Sequence, residues 1–182
     1  VSPGTNGNGF ASYDEAASAV KELYNPDLWK TECNRYYNTD RWTDDWNQRT
    51  QLYDWVGGTI DSGWSQGNNE WNAHYKGIAR ANTILYSLDK AKESLTEEKI
   101  AQYAGEAKFF RASFYMYLIH AFGDVPFYTE YISLEQAYEM GRTDREVILQ
   151  QIYKDYDDAA AVLPEVYTGT VRVTKGAALA MK

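Results

Sequence analysis

Apolar residues recur at helical spacing in several stretches of the chain, and the longest stretch frames the others. Between Thr96 and Pro126, Ile100, Ala107, Phe114 and Ala121 form one seven-residue series. Tyr103 with Ala104, Phe110, and Tyr117 with Leu118 form a second. That period, held for more than three heptads, predicts a long helix with one buried stripe. Thr96 is placed to cap its start, and Glu97 and Glu98 fall in the first turn, where the helix dipole favours anions. Gly123 can end it in a left-handed conformation, and Pro126 bars resumption.

Shorter helices are predicted on both sides. Ser12 and Glu15 form a capping box ahead of Ala16, Val20, Leu23 and Tyr24, and this helix stops at Pro26. From Glu70 to about Ala91, Trp71, Tyr75, Ile78, Asn82, Leu85 and Leu88 lie on or near one stripe. Thr143 and Glu146 form another capping box, and Val147, Ile148, Ile152, Tyr156, Ala159 and Leu163 line the helix that ends at Pro164. Thr174 caps a last helix that is cut off at Lys182. Residues 123–141 read as a mixed connection, with an extended piece at Val125–Ile132. An Ala-x4-Pro pattern at Ala121–Pro126 returns at Ala159–Pro164 and resembles the end of a tetratricopeptide unit. With one helix between the two copies instead of two, it serves only to favour helix hairpins over a closed bundle. The chain is expected to be one all-α domain over residues 1–182, with a flexible lead-in at residues 1–10.

Residues 27–67 break the pattern. Trp29, Trp42, Trp46, Trp55 and Trp64 lie here, interspersed with Asn, Asp, Gln and Arg, and Trp71 follows closely. This predicts a long irregular aromatic-rich insertion. The part Ser62–Asn69, SGWSQGNN, reads as a Gly/Asn/Ser loop carrying a single Trp.

Composition narrows the function. Lys and Arg total 18 against 26 Asp and Glu, a net charge of −8, with no basic cluster to hold phosphates, so nucleic acid is not an expected partner. No apolar run approaches the roughly 20 residues of a membrane-spanning helix. No signal-peptide pattern opens the chain, and Val1 in place of Met predicts a trimmed or designed N-terminus. Cys33 is alone, so no internal disulfide can form.

Candidate catalytic chemistry is thin. Cys33 has no His near it in sequence. His120, among Tyr117, Leu118 and Phe122, reads as a structural histidine, and His74 has no assignable role. Two separated His and one Cys are not a metal set. Asp40, Asp44 and Asp45 lack the alternation and terminal Glu of a calcium loop. No metal and no cofactor are expected. A carboxylate pair for glycoside hydrolysis has no spacing signature in sequence.

The Trp-rich stretch points elsewhere. A sugar ring has an apolar C–H face ringed by hydroxyls; a flat aromatic covers the face, and Asn, Asp, Gln and Arg bond hydroxyl pairs. Trp64, in a Gly/Asn loop expected at the surface, is the sharpest candidate. Trp29, Trp42 and Trp71 read as anchors of the insertion to the helices.

Four segments resemble the SusD/RagB family of Bacteroidetes outer-membrane nutrient-binding lipoproteins. They are WNAHYKGIARANTIL (Trp71–Leu85), GEAKFFRASFYMYLIHAFGDVPFY (Gly105–Tyr128), RTDREVILQQIYKDYDDAAAVLP (Arg142–Pro164) and RVTKGAALAMK (Arg172–Lys182), in family order. The resemblance implies tetratricopeptide-like helix pairs. It implies a non-enzymatic protein, exported and lipid-anchored at the outer face of the outer membrane through an N-terminal Cys that is absent here. An oligo- or polysaccharide is the implied ligand and a SusC-like TonB-dependent transporter the implied partner. By position, the family's sugar-contacting residues before the Trp71 helix correspond to Asp40, Arg49, Trp64 and Asn68. The chain stops where family members continue. Two other readings stand beside this one: a helical scaffold whose aromatic stretch docks on the transporter, and a binder of a peptide nutrient.

Overall fold

The computed structural model describes residues 9–29 and 61–182. In order, the helices are α1 (Tyr13–Lys21), followed by a 3-10 turn (Glu22–Tyr24), α2 (Ser65–Asp89), α3 (Glu97–Phe122), α4 (Leu134–Glu139), α5 (Arg145–Val162) and α6 (Lys175–Met181). Among the described residues no strand forms; one isolated bridge joins Val125 to Thr143. The fold is all-α, as the periodicity predicts.

Three consecutive pairings are antiparallel. Trp71 meets Phe122 and His74 meets Phe114 between α2 and α3. Between α3 and α5, Lys108 meets Asp158 and Arg111 meets Asp155. Between α5 and α6, Lys182 reaches back to Asp157. At the start of α6 Lys175 stands 4.0 Å from Glu165, so in each case the partner's number falls as the other rises, the mark of helix hairpins.

The predicted buried stripe of α3 is an underestimate. From Gly105 to Tyr115 every residue except Lys108 is buried, Glu106, Arg111 and Ser113 included. α2 covers one side of α3, α5 another, and α1 touches both α2 and α3. Burying a side chain such as Phe114 or Leu118 in full contributes about 1.5–3 kcal/mol each, so α3 is the core of the domain. Close approach is made possible by two glycines. A Cβ on Gly77 of α2 would stand 2.4 Å from the Phe114 ring, and one on Gly105 of α3 would stand 2.6 Å from Val162. Glycine inside a helix costs roughly 1 kcal/mol relative to alanine, and the tight crossings give the reason for it here.

Helix ends follow the predicted chemistry with two corrections, apart from the Ser12–Glu15 box, which is half formed: the Glu15 carboxylate accepts from Ala11 N at 2.9 Å in place of Ser12 N. Ser12 Oγ accepts from Glu15 N, Thr96 Oγ1 from Lys99 N and Thr174 Oγ1 from Ala177 N, each at 3.3 Å. α5, however, is capped by Asp144, not Thr143. Asp144 Oδ1 accepts from Glu146 N at 2.8 Å, and Asp124, 21 residues upstream, accepts from Arg145 N at 3.0 Å. Thr143 is spent on the bridge, its N–H donating to Val125 O at 2.9 Å. The other correction is α2, which starts five residues before Glu70, so Ser65–Asn69 are helical and not loop. Gly123 ends α3 with φ 71 and ψ −126, a positive φ outside the left-handed helical basin. The connection after it contains α4, which periodicity missed because the helix has only six residues. Ser133 and Gln136 form its capping box.

Candidate glycan-binding site and the polar networks behind it

Two buried polar networks fasten the helices. In the first, the Arg111 guanidinium donates from Nε and Nη2 to Asp155 Oδ2 and Oδ1 at 2.7 and 2.8 Å. Its Nη1 donates to Asn82 Oδ1 and Thr129 O, both at 2.8 Å. Gln151 Nε2 also donates to Asp155 Oδ1, at 2.9 Å. One side chain thus ties α2, α3, α5 and the segment after Pro126. The planar fork of arginine is what allows two parallel bonds to one carboxylate and a third direction to Asn82.

In the second network Glu106, fully buried, accepts from Tyr24 Oη at 2.6 Å, from Gln102 Nε2 at 3.0 Å and from Arg172 Nη1 at 2.9 and 3.0 Å. Tyr24 Oη in turn accepts from Val173 N at 3.0 Å. Burial and the neighbouring Glu106 carboxylate push the Tyr24 hydroxyl well above its ordinary range. The segment after Pro126 is pinned as well. Tyr75 Oη donates to Pro126 O at 2.6 Å, and Tyr115 Oη donates to Tyr128 O at 2.8 Å and accepts from Tyr128 N at 2.9 Å.

Asn82, Glu106, Arg111, Asp155 and Arg172 all lie in the four segments that carried the family resemblance. The structure makes them internal fasteners. These five residues hold the frame.

Trp64 immediately precedes α2, half-buried. The approach is set by Asp61, whose Oδ1 accepts from Gly63 N at 2.8 Å and whose carbonyl accepts from Trp64 N at 3.1 Å. The indole folds back over the first turn: a Cβ on Gly67 would lie 2.6 Å from Trp64 Cε3. Asn68 is exposed one turn on, its N–H donating to Trp64 O at 3.1 Å and its Nδ2 to Ser62 O at 3.3 Å. Trp64 and Asn68 are therefore brought together at one end of α2. Asp40 and Arg49 lie outside the described residues, as do Cys33, Trp42 and the Asp44–Asp45 pair.

Two other tryptophans serve the core, as expected. Trp29 packs on Phe110, Phe114 and Tyr117 with centroids at 5.7, 4.8 and 5.9 Å, and Trp71 on Tyr75 and Phe122 at 4.9 and 5.2 Å. His74 is fully buried and stacks on Tyr117 at 5.7 Å. His120, expected to be a structural histidine, is instead exposed in the last turn of α3.

Sequence reasoning missed a second aromatic surface. Near the far end of α2, Tyr86 stacks on Tyr131, with centroids 5.8 Å apart and planes 27° apart. Beside them a cleft of about 120 Å³ is lined by Asn82, Thr83, Tyr128, Glu130, Tyr131 and Ser133, among others. No local signal marks this surface, because Tyr86 and Tyr131 are 45 positions apart and tyrosine is abundant throughout, with 16 in the chain.

No group of three or more His, Cys, Asp and Glu placed to hold a metal ion occurs among the described residues, and no described helix is long and apolar enough to cross a membrane.

Known proteins share this helical frame. The family described as "Starch-binding associating with outer membrane" matches residues 11–182, and the chain belongs to this SusD-like family. A SusD-like protein of Formosa agariphila is 36% identical over 100 residues, covering 55% of this chain and 19% of that protein. Among solved structures, a laminarin-binding SusD-like protein superposes with a TM-score of 0.81 at 22% identity, over 94% of this chain and 39% of the other. Surface glycan-binding protein A of Bacteroides fluxus gives 0.75 at 24%, with the same coverage of 94% and 39%. The chain therefore spans well under half the length of these relatives, and the structural likeness establishes the fold.

Proposed function

We propose that this chain is part of a non-enzymatic protein that binds an oligo- or polysaccharide at the outer face of the outer membrane, anchored by lipid. The protein passes the glycan to a SusC-like TonB-dependent transporter. Trp64 supplies the flat apolar surface for a sugar ring, and Asn68 pairs with ring hydroxyls. Asp40 and Arg49, from the stretch preceding α2, complete the polar set.

The observation that carries this reading is the placement of Trp64. In a chain of a family described as starch-binding, the indole is half-buried immediately before α2, against Gly67 and next to the exposed Asn68.

Calorimetric titration of the protein with starch- and laminarin-derived oligosaccharides tests the glycan. Trp64→Ala is expected to weaken binding by about tenfold, the upper range for one aromatic stacking contact. Absence of binding to every neutral oligo- or polysaccharide in a broad panel would remove the assignment. Co-purification with the transporter encoded beside the gene tests the delivery step separately.

A further inference from the structure

The Tyr86–Tyr131 surface has the features of a ligand site that the packing of the helices does not require. Tyr131 is 62% exposed and Tyr86 43%, although the two rings stack on each other. Lys90 Nζ stands 4.1 Å from the Tyr86 centroid, so the open ring face belongs to Tyr131. The floor is rigid: Asn82 is held through its Oδ1 by Arg111 and through its Nδ2 by Tyr128 O at 3.4 Å, and Tyr128 is itself pinned by Tyr115. One wall is α4, locked by the Ser133–Gln136 capping box. Such a cleft is formed before any ligand arrives, which lowers the cost of ordering on binding.

The lining selects a chemical class. Glu130 is an exposed carboxylate with two acceptor oxygens. Thr83 gives its proton to Ala79 O at 2.8 Å, leaving its oxygen to accept. A cleft that mainly accepts hydrogen bonds, beside an open aromatic face and in an acidic chain, suits a neutral polyol and repels an anion. Its volume of about 120 Å³ has room for several waters, and so for the hydroxylated edge of one ring.

We propose that this cleft is a second carbohydrate subsite, which takes a neutral sugar ring stacked on Tyr131 with its hydroxyls donating to Glu130 and Thr83. It rests on the carbohydrate-binding reading above but uses none of the same residues. Tyr86 lies 22 residues along α2 from Trp64, about 33 Å at the helical rise of 1.5 Å per residue. No single sugar ring touches both sites, so the second site adds grip on long chains through effective concentration.

The test is an amide-shift titration of the isotope-labelled full chain with maltotriose and laminaritriose. The expected result is a group of shifts at Thr83 and across Tyr128–Ser133, separate from any group around Trp64. It should vanish in Tyr131→Ala, persist in Tyr131→Phe, and persist in Trp64→Ala. Tyr131 is solvent-exposed, and an otherwise unchanged spectrum shows that the variants fold. Shifts confined to the surroundings of Trp64 would overturn the second subsite and leave the primary reading standing. Shifts at neither place would overturn the second subsite and leave the primary reading to the broad glycan panel, and shifts at the cleft alone would support the subsite and remove Trp64 from the binding role.

Discussion

Arg111 and Asp155 face each other through two parallel bonds of 2.7 and 2.8 Å, with both side chains at or below 5% exposure. The pair joins the middle of α3 to the middle of α5, and Asn82 and Thr129 O take the remaining donors on Nη1. A buried ion pair of this kind owes its effect to specificity more than to net stability, because desolvation offsets most of the Coulomb gain. Its removal from one side is another matter.

Arg111→Met leaves Asp155 buried with Gln151 as its one remaining side-chain donor among the described residues, and should cost about 3–5 kcal/mol in denaturant unfolding. The double variant Arg111→Met/Asp155→Leu should recover much of that loss. A single-variant cost below about 1 kcal/mol would show that the network is dispensable.

Gly77→Ala and Gly105→Ala test the helix crossings. Alanine is the better helix former by roughly 1 kcal/mol, yet the added methyl meets Phe114 in one case and Val162 with Leu163 in the other. Overpacking should win, with a net loss of about 1–3 kcal/mol and a lower melting temperature. Phe114→Leu should relieve Gly77→Ala in a double-variant cycle and leave Gly105→Ala unchanged. A rise in melting temperature for either glycine variant would contradict the close approach.

The cap of α5 separates the roles of Asp144, Asp124 and Thr143. Asp144→Ala and Asp124→Ala should each lose about 1 kcal/mol, because each carboxylate accepts from a first-turn N–H of α5. Thr143→Ala should cost less, because the bridge to Val125 uses only its backbone. Amide exchange at Arg145 and Glu146 is the direct readout: faster exchange at Arg145 in Asp124→Ala, and at Glu146 in Asp144→Ala.

Buried tyrosines set the alkaline limit. Burial raises the hydroxyl of Tyr115 far above its ordinary 10.0 and that of Tyr156 to about 12. The folded-state values exceed the unfolded ones, so this stability is fully present below about pH 10 and falls as the pH rises toward the folded values. Above pH 10 the unfolded chain loses each proton that the folded chain keeps, a slope of about −1.4 kcal/mol per pH unit for each such tyrosine. Unfolding by urea, followed from pH 8 to 11.5, should give a flat region and then a steep decline. Tyr156→Phe should make that decline shallower, at the expense of the bond between its hydroxyl and Ser113 Oγ at 3.0 Å. An unchanged decline would mean that Tyr156 does not titrate as described.

Local patterning in the chain determined the helices, most of their caps and the antiparallel order. Apolar spacing at 3.6 residues, Thr96, Thr174 and Gly123 each act within one or two turns, so sequence alone exposes them. The four motif segments determined the family for the same reason, being contiguous. Tertiary structure decided what those segments are for. Glu106 and Arg111 look like solvated charges on a helix, and only their partners 66 and 44 positions away turn them into fasteners. Asp124 looks like a turn residue until α5 arrives 21 positions later to be capped by it. Trp64 moved from the middle of a loop to the threshold of α2. The Tyr86–Tyr131 stack exists only because Tyr75, Tyr115 and Arg111 hold the segment after Pro126 against α2. Helix-forming tendencies are local and legible in the chain; a surface assembled from residues 45 positions apart is a product of packing, and no single stretch of sequence contains it.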